Sequence, residues 1–143
     1  MTTPFADLPG DAMMTPSADL PCPCGQGPTF ASCCGRWKPF HPAPDAEHLM
    51  RSRYSAYVRV DGDYLLATWH PDTRPVHFDL AAEQPPTEWL GLTVIRHEAF
   101  DARHAVVEFV AHYRIRGREH RLHEISRFEC MDGHWLYRDG VTD

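Results

Sequence analysis

The chain has 143 residues, a formal net charge of −6 and 43% hydrophobic residues. That is enough apolar material for one folded domain with short additions, and it excludes a wholly disordered chain. The acidic balance argues against a nucleic-acid binder, which needs clustered Lys and Arg on phosphates. No stretch approaches the ~18 consecutive apolar residues of a membrane span.

Residues 1–21 carry Pro4, Pro9, Pro16 and Pro21 among small and polar residues, with Asp7, Asp11 and Asp19 and no basic residue. A flexible tail is expected there, without the basic and apolar regions of a secretory signal, and the protein is expected to be cytoplasmic. Residues 22–44 begin with Cys22-Pro23-Cys24-Gly25-Gln26-Gly27 and continue to Cys33-Cys34-Gly35. In a reducing compartment such a cluster suits a metal better than a disulfide framework. Four thiolates close a tetrahedron around Zn2+, leaving no open position for water, so a structural and not a catalytic zinc is expected on Cys22, Cys24, Cys33 and Cys34. The segment is too small to fold by apolar burial alone, and the metal is expected to supply its folding free energy. Arg36, Lys38 and the prolines at 39, 42 and 44 then make a basic, semi-stiff connector.

Residues 45–143 form the main domain. Asp45 is placed to cap a helix in which Ala46, Leu49, Met50, Tyr54, Tyr57 and Val60 recur at helical spacing. A second helix is expected from Asp61 to Trp69, ended by Pro71. Residues 71–87 show no clear period. From Glu88 the period becomes two, and strands are expected over Trp89–Ala99, Ala105–Ile115, Glu119–Met131 and Trp135–Asp139. Arg116-Gly117 and Asp132-Gly133 stand where tight hairpin turns belong. Helices followed by a run of antiparallel strands read as an α+β fold, with helices on one face of a curved sheet.

Within this frame a few polar residues stand on apolar faces. Arg53 shares a helical face with Ala46, Met50, Tyr57 and Val60. Either it lies at the stripe's edge and reaches solvent, or it points into a cavity and meets an acid. Glu124 is the acid in question, since it shares a strand face with Leu122, Ser126, Phe128 and Cys130. It is a structural partner of Arg53 or a group that binds a ligand or moves a proton. His70, at the end of the second helix, either lines the mouth of a pocket or is a half-exposed helix-end residue. Trp89, Trp135 and Tyr137 read first as core, and Cys130 as buried and inert. The histidines follow no ligand spacing, so no second metal is expected.

The cysteine motif resembles the SEC-C motif, the small zinc module of the SecA translocase. His48 to Val58, Thr68-Trp69-His70-Pro71, Thr87 to Leu92, His123 to Phe128 and Trp135-Leu136-Tyr137 resemble, in the same order, the YchJ-like family of uncharacterised bacterial proteins. The resemblance implies a nuclear transport factor 2-like core, a curved sheet wrapped by helices around a conical cavity. It implies no established activity. Typical SEC-C loops carry lysines after the second glycine, whereas Gly27 is followed by Pro28-Thr29-Phe30-Ala31-Ser32, which weakens any inference to the SecA module's own partners.

Two functions are compatible with these residues. One is a binding or adaptor protein whose zinc module contacts a protein partner, with Trp37 and Phe40 as anchors, and whose cavity holds a small ligand. The other is an isomerase or dehydratase in which Glu124 or His70 moves a proton and Arg53 or Tyr57 holds an oxyanion.

Overall fold

The computed structural model describes residues 18–82 and 85–142. The expected tail at 1–21 lies outside them except for its last four residues. Helix α1 spans Ala46–Val58 and helix α2 spans Gly62–Ala67. Strands β1 (Glu88–Ala99), β2 (His104–Ile115), β3 (Arg118–Met131) and β4 (His134–Thr142) form one antiparallel meander in the order β1-β2-β3-β4.

Local chemistry accounts for the helix limits. Asp45 Oδ1 accepts the His48 N–H at 2.8 Å, and Asp61 Oδ1 accepts the Tyr64 N–H at 3.1 Å, so each helix starts on a capping carboxylate. Helix α1 ends two residues short of Val60. The Asp61 N–H reaches back to Ala56 O and the Val60 N–H to Tyr57 O, which is a Schellman closure with Val60 at φ 57° in the position that glycine usually takes. Helix α2 also stops earlier than the sequence suggests. Beyond Ala67 the chain extends, and Trp69 forms a parallel bridge with Tyr137. The Tyr137 N–H donates to Thr68 O at 2.8 Å and the His70 N–H donates to Tyr137 O at 2.7 Å. A strand partner therefore captures the backbone that periodicity alone assigns to the helix.

Arg116 and Gly117 have φ of 53° and 78°, and Asp132 and Gly133 have 53° and 82°. Both are primed two-residue turns whose twist suits a hairpin. Register shifts set Leu90 and Ile95 in β1 and Arg138 in β4 outside one-to-one pairing, and such bulges bend the sheet toward the helices. On the concave face, Val107, Phe109 and Ala111 of β2 and Phe128 of β3 are buried against Leu49, Met50 and Tyr54 of α1. Val106 and Val110 are buried on the opposite face of β2.

The four cysteines belong to the same apolar cluster as Leu49, Met50 and Phe128. Arg51 Nη1 donates to Cys24 O at 3.3 Å, the Arg59 guanidinium stacks 3.8 Å over Phe30, and Trp37 meets His48 edge-on at 5.7 Å. The N-terminal segment is thus seated on α1, and the proline-rich connector does not hold it apart.

Candidate functional site

Two constellations carry chemistry, and they lie on opposite sides of α1's contribution to the core.

The first is the cysteine cluster. A turn closed by Gly25 N–H to Cys22 O brings Cys22 and Cys24 together. The Cys33 N–H and Gly35 N–H both donate to Phe30 O, which folds the second pair back onto the first. Gly27 lies against the Cys33 side chain, where any β-carbon would collide. The four sulfurs lie within 4.8 Å of one another and all four residues are buried. The Cys24 and Cys33 sulfurs are 3.7 Å apart. Tetrahedral thiolate ligation at about 2.3 Å requires sulfur–sulfur separations of about 3.8 Å, so the donor set fits a metal ion of that kind. Electrostatics agree. Hydrogen bonds from Cys24 and Cys34 lower the Cys22 pKa. Burial, then the neighbouring Cys24, pushes the Cys33 thiol up to about 11, and hydrogen bonding to Cys22 raises Cys34 further. Only a bound cation lets all four ionise together. Beyond the sulfurs, Ser55 Oγ on α1 is 3.5 Å from Cys22 Sγ, a contact that no local spacing signals.

The second is a cavity of about 410 Å³ between α1, the Thr68–His70 crossover and the concave face of the sheet. Arg53, Tyr57 and Glu124 all line it, as do Tyr54, Trp69, Trp89, Ser126 and Tyr137. Arg53 is 5% exposed. Its Nη1 donates to Leu65 O at 2.8 Å and to Thr68 Oγ1 at 2.7 Å, so it satisfies a carbonyl in the last turn of α2. The guanidinium stacks 4.7 Å over Tyr137 and 5.0 Å over Trp69. Burial lowers its pKa, opposed by Tyr57, Tyr137, Tyr64 and Glu124.

Arg53 and Glu124 share the cavity, but no direct ion pair joins them, so a simple structural pairing is not what holds either group. Glu124 Oε2 instead accepts Ser126 Oγ–H at 2.6 Å and Tyr137 O–H at 3.2 Å. Its carboxylate lies directly over Gly140, leaving no room for a side chain there. A glycine inside a strand is the sequence signal for such close approach, and it went unused. Tyr137, read first as core with a pocket-lining role as the alternative, does line the cavity. Its ring supports Arg53 while its hydroxyl holds Glu124. Burial, then the charge of Glu124, raises the Tyr137 pKa.

His70 is not part of the cavity wall. It is 3% exposed on the far side of the crossover, where Nδ1 accepts the Asp72 N–H at 3.0 Å and Nε2 lies 3.2 Å from Glu129 Oε1. Nε2 also lies 3.2 Å from Arg138 Nη1. His70 thereby fastens the crossover to β3, and Arg138 completes the group 3.3 Å from Glu129. The reason is tertiary: the Trp69–Tyr137 bridge directs Trp69 into the cavity and leaves the next side chain on the other face. Cys130 is half-buried and lies outside the cysteine cluster.

No helix among the described residues is long and apolar enough to cross a membrane. Residues 45–140 match the family model for YchJ, middle NTF2-like domain. A UPF0225 protein of Bordetella parapertussis is 51% identical over 128 residues, covering 87% of this chain and 95% of that protein. A UPF0225 protein of Ralstonia nicotianae is 50% identical over 143 residues, covering 90% and 96%. Among solved structures, a SEC-C motif containing protein from Rhodopseudomonas palustris aligns with a TM-score of 0.77 at 33% identity, over 87% of this chain and 99% of that one. A SEC-C motif containing protein from Psychrobacter arcticus aligns with a TM-score of 0.73 at 29% identity, over 88% and 84%.

Proposed function

The chain belongs to the YchJ family, whose nuclear transport factor 2-like domain it carries at residues 45–140, and on that premise we propose that it is a small-molecule binding protein braced by a structural zinc. The observation that carries this reading is the cavity of about 410 Å³, lined by aromatic rings yet holding one buried cation and one carboxylate. That volume lies in the range of small-ligand sites, and a few placed polar groups on apolar walls are what orients a ligand. Zn2+ on Cys22, Cys24, Cys33 and Cys34 would cross-link the segment that supports α1, and α1 supplies Arg53, Tyr54 and Tyr57 to the wall. The SEC-C motif of both solved relatives supports zinc as the metal.

Ala111 lines the cavity and is buried, so Ala111→Phe fills it. Mass spectrometry of extracts from the two purified proteins is expected to recover an organic compound from wild type that is missing from Ala111→Phe. Identical extracts overturn the reading. One zinc per chain, in protein purified without chelator, is the expected metal content.

A second reading keeps a protein partner on the zinc segment. It rests on Phe40, 85% exposed at the tip of a turn closed by the Lys38–His41 bridge. Trp37 does not join it as an anchor, because it is already stacked under Arg36 and against His41. Capture by residues 22–44 that is unchanged by Phe40→Ala would remove this reading. The isomerase or dehydratase alternative gains no support, since two hydroxyl donors occupy Glu124 Oε2 and His70 is outside the cavity.

A further inference from the structure

Arg53 offers more hydrogen bonds than the protein takes up. A guanidinium has five N–H donors, and its only hydrogen bonds among the described residues leave from Nη1. Nε and Nη2 therefore have no acceptor, although the side chain is only 5% exposed and lines the cavity. The faces of Trp69 and Tyr137 offset part of the charge but accept no directed hydrogen bond in its plane. A buried charged donor left without an acceptor is costly, so this wall is built to meet an oxygen acceptor. Glu124 is the complementary case. Its Oε2 is filled by Ser126 and Tyr137, while Oε1 has no protein donor among the described residues. The two groups are separated by the Tyr137 side chain, whose ring underlies one and whose hydroxyl holds the other.

The formal charge of the pair is zero. A ligand carboxylate would satisfy Arg53 but face Glu124, and a ligand ammonium would do the reverse. In a low-dielectric cavity either like-charge contact is costly. The remaining lining is mostly apolar, with the rings of Trp89, Tyr113 and Phe109 beside Met50 and Leu122, and suits a flat apolar body.

We propose that the cavity selects an uncharged, aromatic-sized molecule that presents a carbonyl-type oxygen to Arg53 and an N–H or O–H donor to Glu124, a carboxamide being the simplest such group. This rests on the cavity reading above and adds the ligand class. The test uses three probes of one shape on the zinc-loaded full chain at pH 7: 2-naphthamide, 2-naphthoate and 2-naphthylmethylamine, with affinity followed by calorimetry. The amide is expected to bind at least about tenfold more tightly than either charged probe. Glu124→Gln keeps the shape and the hydroxyl contacts but removes the negative charge, and it is expected to move the preference about tenfold or more toward the carboxylate. Arg53→Lys retains a positive charge without the planar fork and is expected to weaken the amide, with folding checked by circular dichroism. Equal affinities for the three probes, or a preference unchanged by Glu124→Gln, overturn this inference and leave the cavity reading standing. Failure of all three to bind also overturns it. Identical extracts from wild type and Ala111→Phe overturn the cavity reading itself.

Discussion

The cysteine cluster and the Arg53–Glu124 cavity both place polar groups in an apolar core, and they resolve the cost in opposite ways. In the cluster, four sulfurs converge within 4.8 Å, where one cation would satisfy all of them at once. In the cavity, a cation and an anion stand apart, each half satisfied by protein groups around it: Arg53 by Leu65 and Thr68, Glu124 by Ser126 and Tyr137. The first arrangement closes on itself and suits a structural role. The second leaves directed hydrogen-bonding capacity facing open space, which suits recognition.

The largest test of that contrast is Cys24→Ser. If the cluster is a cross-link within the shared core, the variant should lose metal and several kcal/mol of stability, of the order of the ~10 kcal/mol binding energies of structural zinc sites less what the rest of the core retains. Because Cys24 belongs to the same apolar cluster as Leu49 and Phe128, a single denaturation transition should shift as a whole. Two separate transitions would instead make the segment an independent module. Metal binding should also release protons at neutral pH, because Cys33 in the metal-free cluster is pushed up to about 11; proton release followed in weak buffer checks this.

On the cavity side, Gly140→Ala should force the Glu124 carboxylate off Ser126 and Tyr137, at about 2 kcal/mol, measured by urea unfolding. A neutral outcome would mean that Glu124 swings away freely and is not held. Tyr137→Phe keeps the ring beneath Arg53 and removes only the hydroxyl bond to Glu124, so a loss of about 1 kcal/mol is expected, smaller than for Gly140→Ala.

The last effect is one of pH. Burial raises the pKa of Tyr54 from 10.0 to about 12. Between those values the unfolded chain releases a proton that the folded chain keeps, so stability is unaffected below pH 10 and falls as pH rises toward 12. Thermal unfolding across that range should show the slope, and Tyr54→Phe should reduce it.

The extent to which these two regions were legible beforehand follows from the range of the interactions that build them. The four cysteines were legible as a set because their spacing is local and thiol chemistry is specific, and their sulfurs do lie within 4.8 Å of one another. The hairpins were legible at Arg116-Gly117 and Asp132-Gly133 because a primed turn needs residues that tolerate positive φ. Alternation along β3 placed Glu124 and Ser126 on the concave face with Phe128, and that is where they lie. Helix α2 was overextended because local period cannot register a competing strand, and Tyr137 draws Thr68 to His70 into extended pairing from nearly seventy residues away.

The sequence by itself thus determined the cysteine cluster, the hairpin turns and the face that Glu124, Ser126 and Phe128 share on β3, all of which depend on neighbours within a few positions. Only the tertiary structure decided that Arg53 bonds a helix end and not Glu124, that His70 fastens the crossover outside the cavity, and that Gly140 makes room for a carboxylate. Each of these depends on where the Trp69–Tyr137 bridge docks one element against another, and no local pattern encodes the geometry of that docking.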